Sequence, residues 1–213
     1  INTRGIEIRG MVDRKIGFYT FLGENQSVLP LYVQEEVDRN KVVPHEGYWK
    51  PFKENGVDFF QARAYIDFSI SKHIYLQFGN DRTFIGNGYR SLIFSDNSPP
   101  TLFLRANVRV WKLNYMYQLN RMAADARTAG NERYPEKFAA FHHLTFNIGK
   151  KLNIGVFESV VFSPQDSVND NSFDYSYLNP VIFFRAIEQQ YGSSDNALLG
   201  LDFKWNAFKK VSM

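Results

Sequence analysis

Apolar and polar residues alternate along much of this chain. From Phe59 to Ser71, Phe60, Ala62, Ala64, Ile66, Phe68 and Ile70 share one parity, while Gln61, Arg63, Asp67 and Ser69 share the other. Successive side chains of a strand point to opposite faces, so the segment predicts a ribbon with one greasy and one wet face. Thr101 to Lys112 sets Leu102, Leu104, Ala106, Val108 and Val110 against Arg105, Asn107 and Arg109. A helix of that sequence would scatter its arginines around every side. Ala197 to Ala207 opposes Ala197, Leu199, Leu201, Phe203 and Trp205 to Gly200, Asp202, Lys204 and Asn206. Fainter alternation covers Gly5 to Val12, Ile16 to Gly23, His73 to Gly79, Leu113 to Met122, His143 to Gly149 and Leu152 to Phe162. About nine strands are predicted, most near the roughly 9–11 residues that cross a hydrocarbon layer at a tilt.

The connections are sorted by length. Nearly residue-free turns at Asp13-Arg14, Lys72, Lys112-Leu113 and Lys150-Lys151 alternate with long polar stretches at Glu24 to Asp58, Asn80 to Pro100, Ala123 to Phe141 and Ser163 to Asn196. A bacterial outer-membrane barrel has short periplasmic turns and longer outside loops, because each strand pair reverses at one rim or the other. The fold expected is therefore all-β, an antiparallel transmembrane β-barrel with its Lys-rich turns in the periplasm. A soluble antiparallel sheet with one buried face would alternate similarly, but it does not normally sort its connections so regularly. Nine is odd and such barrels have even strand counts, while Val211-Ser212-Met213 reads as the start of a tenth strand after a basic turn. Residues 1–213 are thus expected to be a portion of a single barrel domain, truncated at both ends. Within the loops, Leu31 to Asn40 predicts a short amphipathic helix after Pro30, and Asn179-Pro180 starts a second that runs through Gln190 to Gly192.

Composition adds detail. The 20 Phe and 12 Tyr fall largely near predicted strand ends, as in Tyr19 with Phe21, Phe59 with Phe60, Tyr115 with Tyr117 and Trp205 with Phe208. Aromatic girdles at the two interfaces account for that placement. The chain has no Cys, which removes disulfides, thiolate metal sites and thiol nucleophiles. Its 25 Lys and Arg against 22 Asp and Glu are interspersed, without the basic stripe a nucleic-acid partner requires. No stretch approaches the roughly 18–20 apolar residues of a spanning helix.

Candidate chemistry concentrates in Gly79-Asn80-Asp81-Arg82-Thr83-Phe84-Ile85-Gly86-Asn87-Gly88-Tyr89-Arg90-Ser91-Leu92, followed by Phe94-Ser95-Asp96-Asn97. Arginine forks, carboxylates and amides form directional bonds to hydroxyls, and Tyr89 or Phe84 offers a ring to a sugar face. The same groups would equally serve as scaffold, with Arg and Asp neutralising one another and Gly86 and Gly88 permitting a tight turn. No helix follows in a βαβ unit, so the glycines are not a dinucleotide fingerprint. His142 and His143 are adjacent in a strand and face opposite sides, and no metal or cofactor is expected. Glu158 breaks the apolar parity of Leu152, Ile154, Val156 and Val160, which predicts a bulge or a place near the rim.

This run resembles the corresponding segment of the Wzi-type capsule assembly family as it appears in Bacteroidetes, including its gliding-motility-associated members. Phe157-Glu158-Ser159 and Leu178-Asn179-Pro180-Val181 extend the resemblance over much of the chain, and Gly-Asn-Asp and Asn-Gly-Tyr-Arg-Ser are its most specific parts. The resemblance implies a larger, non-enzymatic outer-membrane barrel whose loops and lumen engage surface polysaccharide, in capsule assembly or gliding. Its candidate contacts or lumen network are Asp81, Arg82, Asn87, Tyr89, Arg90, Asp96 and Asn97. Partners expected with it are surface polysaccharide, outer-membrane lipid and lipopolysaccharide, and other outer-membrane proteins. The competing expectations are a porin-like diffusion channel and a soluble β-sandwich carbohydrate-active protein.

Overall fold

The computed structural model describes residues 1–123, 135–163, 173, 175–183 and 195–206. They form one antiparallel sheet from β1 (Asn2–Val12), β2 (Ile16–Val28), β3 (Lys50–Phe52), β4 (Gly56–Ser69), β5 (Ile74–Asp81), β6 (Thr101–Val110), β7 (Leu113–Ala123), β8 (Glu136–Ile148), β9 (Leu152–Phe162) and β10 (Asn196–Trp205), with helix α1 (Leu31–Asn40) between β2 and β3. Each strand lies beside its chain neighbour in a meander from β1 to β10, and the short β3 pairs only with the start of β4. The sheet is not closed: β1 and β10 are its two ends.

Register explains the two faces. A single row of partners, Gly10, Phe18, Ile66, Phe78, Leu104, Leu119, Ala140, Val160 and Ala197, crosses the sheet from edge to edge on one side. The adjacent row on the other side reads Met11, Gly17, Asp67, Gln77, Arg105, Gln118, Phe141, Ser159 and Leu198. A one-residue slip anywhere would exchange these faces, so the apolar parity read in each strand fixes its pairing. Ile66, Phe78 and Leu201 of the apolar face are 57%, 55% and 78% exposed. Among the described residues there is one sheet, and no second sheet lies against this face.

Turn chemistry sets the alternation of connections. Asp13 and Arg14 both take positive φ between β1 and β2, as does Trp111 between β6 and β7 and Gly149 between β8 and β9, the backbone sense that tight hairpins of twisted strands require. The long connections return at the opposite end. α1 begins after Pro30 and ends where Lys41, in the left-handed region, donates its N–H to the Val37 carbonyl. Val37 then packs with Val43, Val57 and Phe59, seating the helix over the polar face beside the start of β4.

Several expectations are revised. β8 begins at Glu136, not His143, because Phe138, Ala139, Ala140 and Phe141 are apolar on both parities and show no alternation. Both sides are covered there: Ala139 and Phe141 meet Ile85 on one face, and Ala140 meets Tyr177 on the other. Glu158 makes no bulge, since β9 keeps unbroken pairing with His142 on β8 and Leu199 on β10. It is 2% exposed and lies within the strand, beneath a covering segment. The aromatics read as girdles divide: Tyr19 and Phe59 are buried on the polar side, Tyr117 is buried under residue Tyr177, and Phe60 and Trp205 stand exposed on the apolar face. Residues 179–183 carry no helix, and 184–190, like the Val211–Met213 strand, lie outside the described residues.

Candidate functional site

The polar face is organised around one guanidinium. Arg105 donates from Nε to Gln118 Oε1 at 2.7 Å, from Nη1 to Gln77 Oε1 at 3.1 Å and from Nη2 to Thr83 Oγ1 at 3.1 Å. Gln77 passes the connection on to Asp67 through a 3.0 Å bond from Nε2, and the Tyr75 hydroxyl donates to the same carboxylate oxygen. Gln118 Nε2 donates to Thr83 Oγ1 and to Asn120 Oδ1, which also accepts from Thr101. Five of these residues, Asp67, Gln77, Arg105, Gln118 and Thr101, come from four neighbouring strands, and Thr83 comes from the β5–β6 connection. A half-buried cation with its donors matched to two amides and a hydroxyl, and a carboxylate reached through one amide, avoids the desolvation cost of an isolated charge.

Thr83 therefore anchors an inward fold. The β5–β6 connection, residues 82–100, lies on the polar face, with Ile85 buried against Ala139 and Phe141 and the Phe94 ring 5.0 Å from that of Phe141. Ile85 and Phe94 pair as a single bridge, and Gly86 turns the chain between them at φ 131°, a conformation that only glycine takes easily.

The sequence candidates are spread along this connection and do not converge. Asp81, at the end of β5, accepts from the Arg82 N–H and lies 3.8 Å from Arg63. Arg82 reaches the other long connection, pairing with Glu46 at 2.5 Å and donating to the His45 carbonyl. Asn97 offers its carbonyl to the His45 ring, which ties the same two connections together. Asp96 is exposed and accepts a long 3.5 Å bond from Ser95. Asn87 points away from that group and donates to Asp202 Oδ1 on β10 at 2.7 Å. Asp202 also accepts from His143 Nε2 at 2.7 Å. Tyr89 and Arg90 project into solvent, Tyr89 at 97% exposure.

Below the tip of this inward fold, toward the short turns, the polar face holds a cavity of about 440 Å³. Phe84 and Asn87 roof it, and Asn114, Thr145, Asn147, Asn153 and Lys204 floor it from β7 to β10. Side-chain amides, a hydroxyl and cations in this setting are groups able to hydrogen-bond and pair with a polar ligand. Sequence reasoning missed the Arg105 cluster and this floor. Parity alone places each residue on the correct side, but only the lateral register brings Gln77, Arg105 and Gln118 into one row.

The apolar face also carries a buried polar patch, of which the sequence pattern marked only Glu158. Tyr117, His142 and Glu158 are cross-strand neighbours there, buried beneath residues 175–183. Glu158 Oε2 accepts from the Phe183 N–H at 2.6 Å, the Tyr117 hydroxyl donates to the Tyr177 carbonyl at 2.6 Å, and Tyr115 donates to the Pro180 carbonyl while lying 2.7 Å from His142 Nδ1. The Phe162 and Tyr177 rings stack at 4.1 Å. Tyr115, Tyr117 and Glu158 each bond the backbone of residues 177–183, so the arrangement is that of a fastening.

Compared with protein-family models, curated proteins and solved structures, the chain matches none.

Proposed function

We propose that this sheet is the wall of a transmembrane β-barrel in a bacterial outer membrane, and that its polar interior binds surface polysaccharide without catalysis, as the resemblance to the Wzi-type capsule assembly family implies. The observation that carries the membrane reading is the apolar row that runs unbroken from Phe18 to Ala197, with large side chains such as Phe78 and Leu201 left exposed. Exposed contiguous apolar surface on a soluble protein rarely exceeds a few hundred Å². Acyl chains are a cover that suits nine neighbouring strands at once. The polysaccharide reading is supported by the amide-lined cavity and by the ring of Phe84 at its roof.

A second reading, a diffusion channel, draws support from the inward fold of residues 82–100, because such a loop narrows a lumen without closing it. Both are tested on the full-length protein. Retention of capsular polysaccharide from the parent cell on the purified protein, with near-silent planar-bilayer recordings, is expected. Steady conductance steps together with no retained polysaccharide would replace the binding reading with the channel.

A further inference from the structure

The short-turn end of the polar face differs in charge from the rest of it. The 440 Å³ cavity has Lys150, Lys151 and Lys204 in its wall, and a second cavity of about 710 Å³ has Lys15, Lys72, His73 and Arg109. The two meet at Asn114, which lines both. Among the described residues neither wall includes a carboxylate, and none of these lysines or Arg109 is in an ion pair. The nearby acids are already engaged: Asp202 holds His143 and Asn87, and Asp67 holds Tyr75 and Gln77. This leaves a tract of lysines and Arg109 with no carboxylate in direct contact, in cavities of the size that small ligands occupy.

Position separates this tract from ordinary headgroup-facing lysines. Lys204 and Arg109 belong to the polar parity of β10 and β6, opposite Phe203 and Val110 on the apolar face. They share the polar face with Asn107, Asn147 and Asn153. Cations alone would suit any anion. Interleaved with planar amides and roofed by an aromatic ring, they suit a molecule that presents carboxylates, hydroxyls and a flat C–H face together.

We propose that the short-turn end of the polar face is a binding site for an acidic saccharide, with Lys204, Lys151 and Arg109 pairing its carboxylates and Asn114, Asn147 and Asn153 bonding its hydroxyls. The inference rests on the polysaccharide reading and adds to it the charge class of the sugar and the end of the molecule that holds it. It moves the contact away from Asp81, Arg82, Tyr89, Arg90, Asp96 and Asn97: of the seven residues singled out in the sequence, only Asn87 lines this cavity.

The probe is trigalacturonate, titrated calorimetrically into the full-length protein in detergent, beside its neutral methyl ester and inorganic phosphate. The acid is expected to bind at least about tenfold more tightly than the ester, to weaken with added salt, and to lose about tenfold in the Lys204→Gln variant. Lys151→Gln, in an exposed turn, gives a smaller loss in the same direction and serves where Lys204→Gln fails to fold. Equal binding of acid and ester, unchanged in both variants, overturns the acidic site while leaving polysaccharide binding intact. Displacement of trigalacturonate by equimolar phosphate overturns the saccharide class. Failure of acid and ester alike, with capsular polysaccharide still retained, overturns the inference alone; loss of that retention as well removes the reading beneath it.

Discussion

Arg105 is the residue on which the polar face depends most. It is the only cation among the described residues whose guanidinium nitrogens reach three side chains, and Gln77, Gln118 and Thr83 all lose a donor without it. Hydrogen bonds to charged groups contribute about 1.5–3 kcal/mol, and removing a buried partner adds the cost of the acceptors left behind. Arg105→Met is therefore expected to destabilise the protein by about 3 kcal/mol in urea unfolding. It should also free residues 82–100, since Thr83 is their innermost anchor. Faster cleavage within that stretch by a soluble protease checks the second effect. The residue-level reading from sequence placed Arg105 on the wet side of its strand and stopped there. Its partners lie 28, 22 and 13 positions away, and only pairing brings them within reach.

At the level of elements, the strands and the tight turns were legible because alternation and turn chemistry are local. α1 was legible for the same reason, with Pro30 ahead of it and Val33 and Val37 one turn apart. What could not be read is where one element lies on another. Strand β8 loses its alternation where long connections cover both faces, so the sequence of Phe138 to Phe141 looks like a loop although Ala139, Ala140 and Phe141 are all buried within the sheet. Glu158 misled in the same way, because its partner is a backbone N–H some 25 residues onward. Glu158→Ala removes that acceptor and is expected to loosen residues 175–183 by about 1–2 kcal/mol, while Glu158→Gln keeps most of the contact. Hydrogen exchange of the Phe183 amide reports it: accelerated by a factor of ten or more in the first variant and little changed in the second.

The whole molecule tests the membrane reading most directly. Phe78→Lys puts a charge at the middle of the apolar row, and Gln61→Lys puts one on the polar face. If acyl chains cover the apolar side, the first costs about 2–4 kcal/mol of folding into lipid vesicles and the second close to none. Equal, small effects of the two in urea titrations would show that lipid is not the cover. The bond between Asn87 and Asp202 has a bearing on shape at this scale, since it joins residues 115 positions apart, one hanging from the β5–β6 connection and the other on the last strand. It acts as a strut over the polar face. Strands hydrogen-bonded edge to edge leave their common bend soft, and a strut from the β5–β6 connection to β10 limits how far that margin can swing relative to the middle of the sheet, a restraint supplied by a loop and not by the ladder.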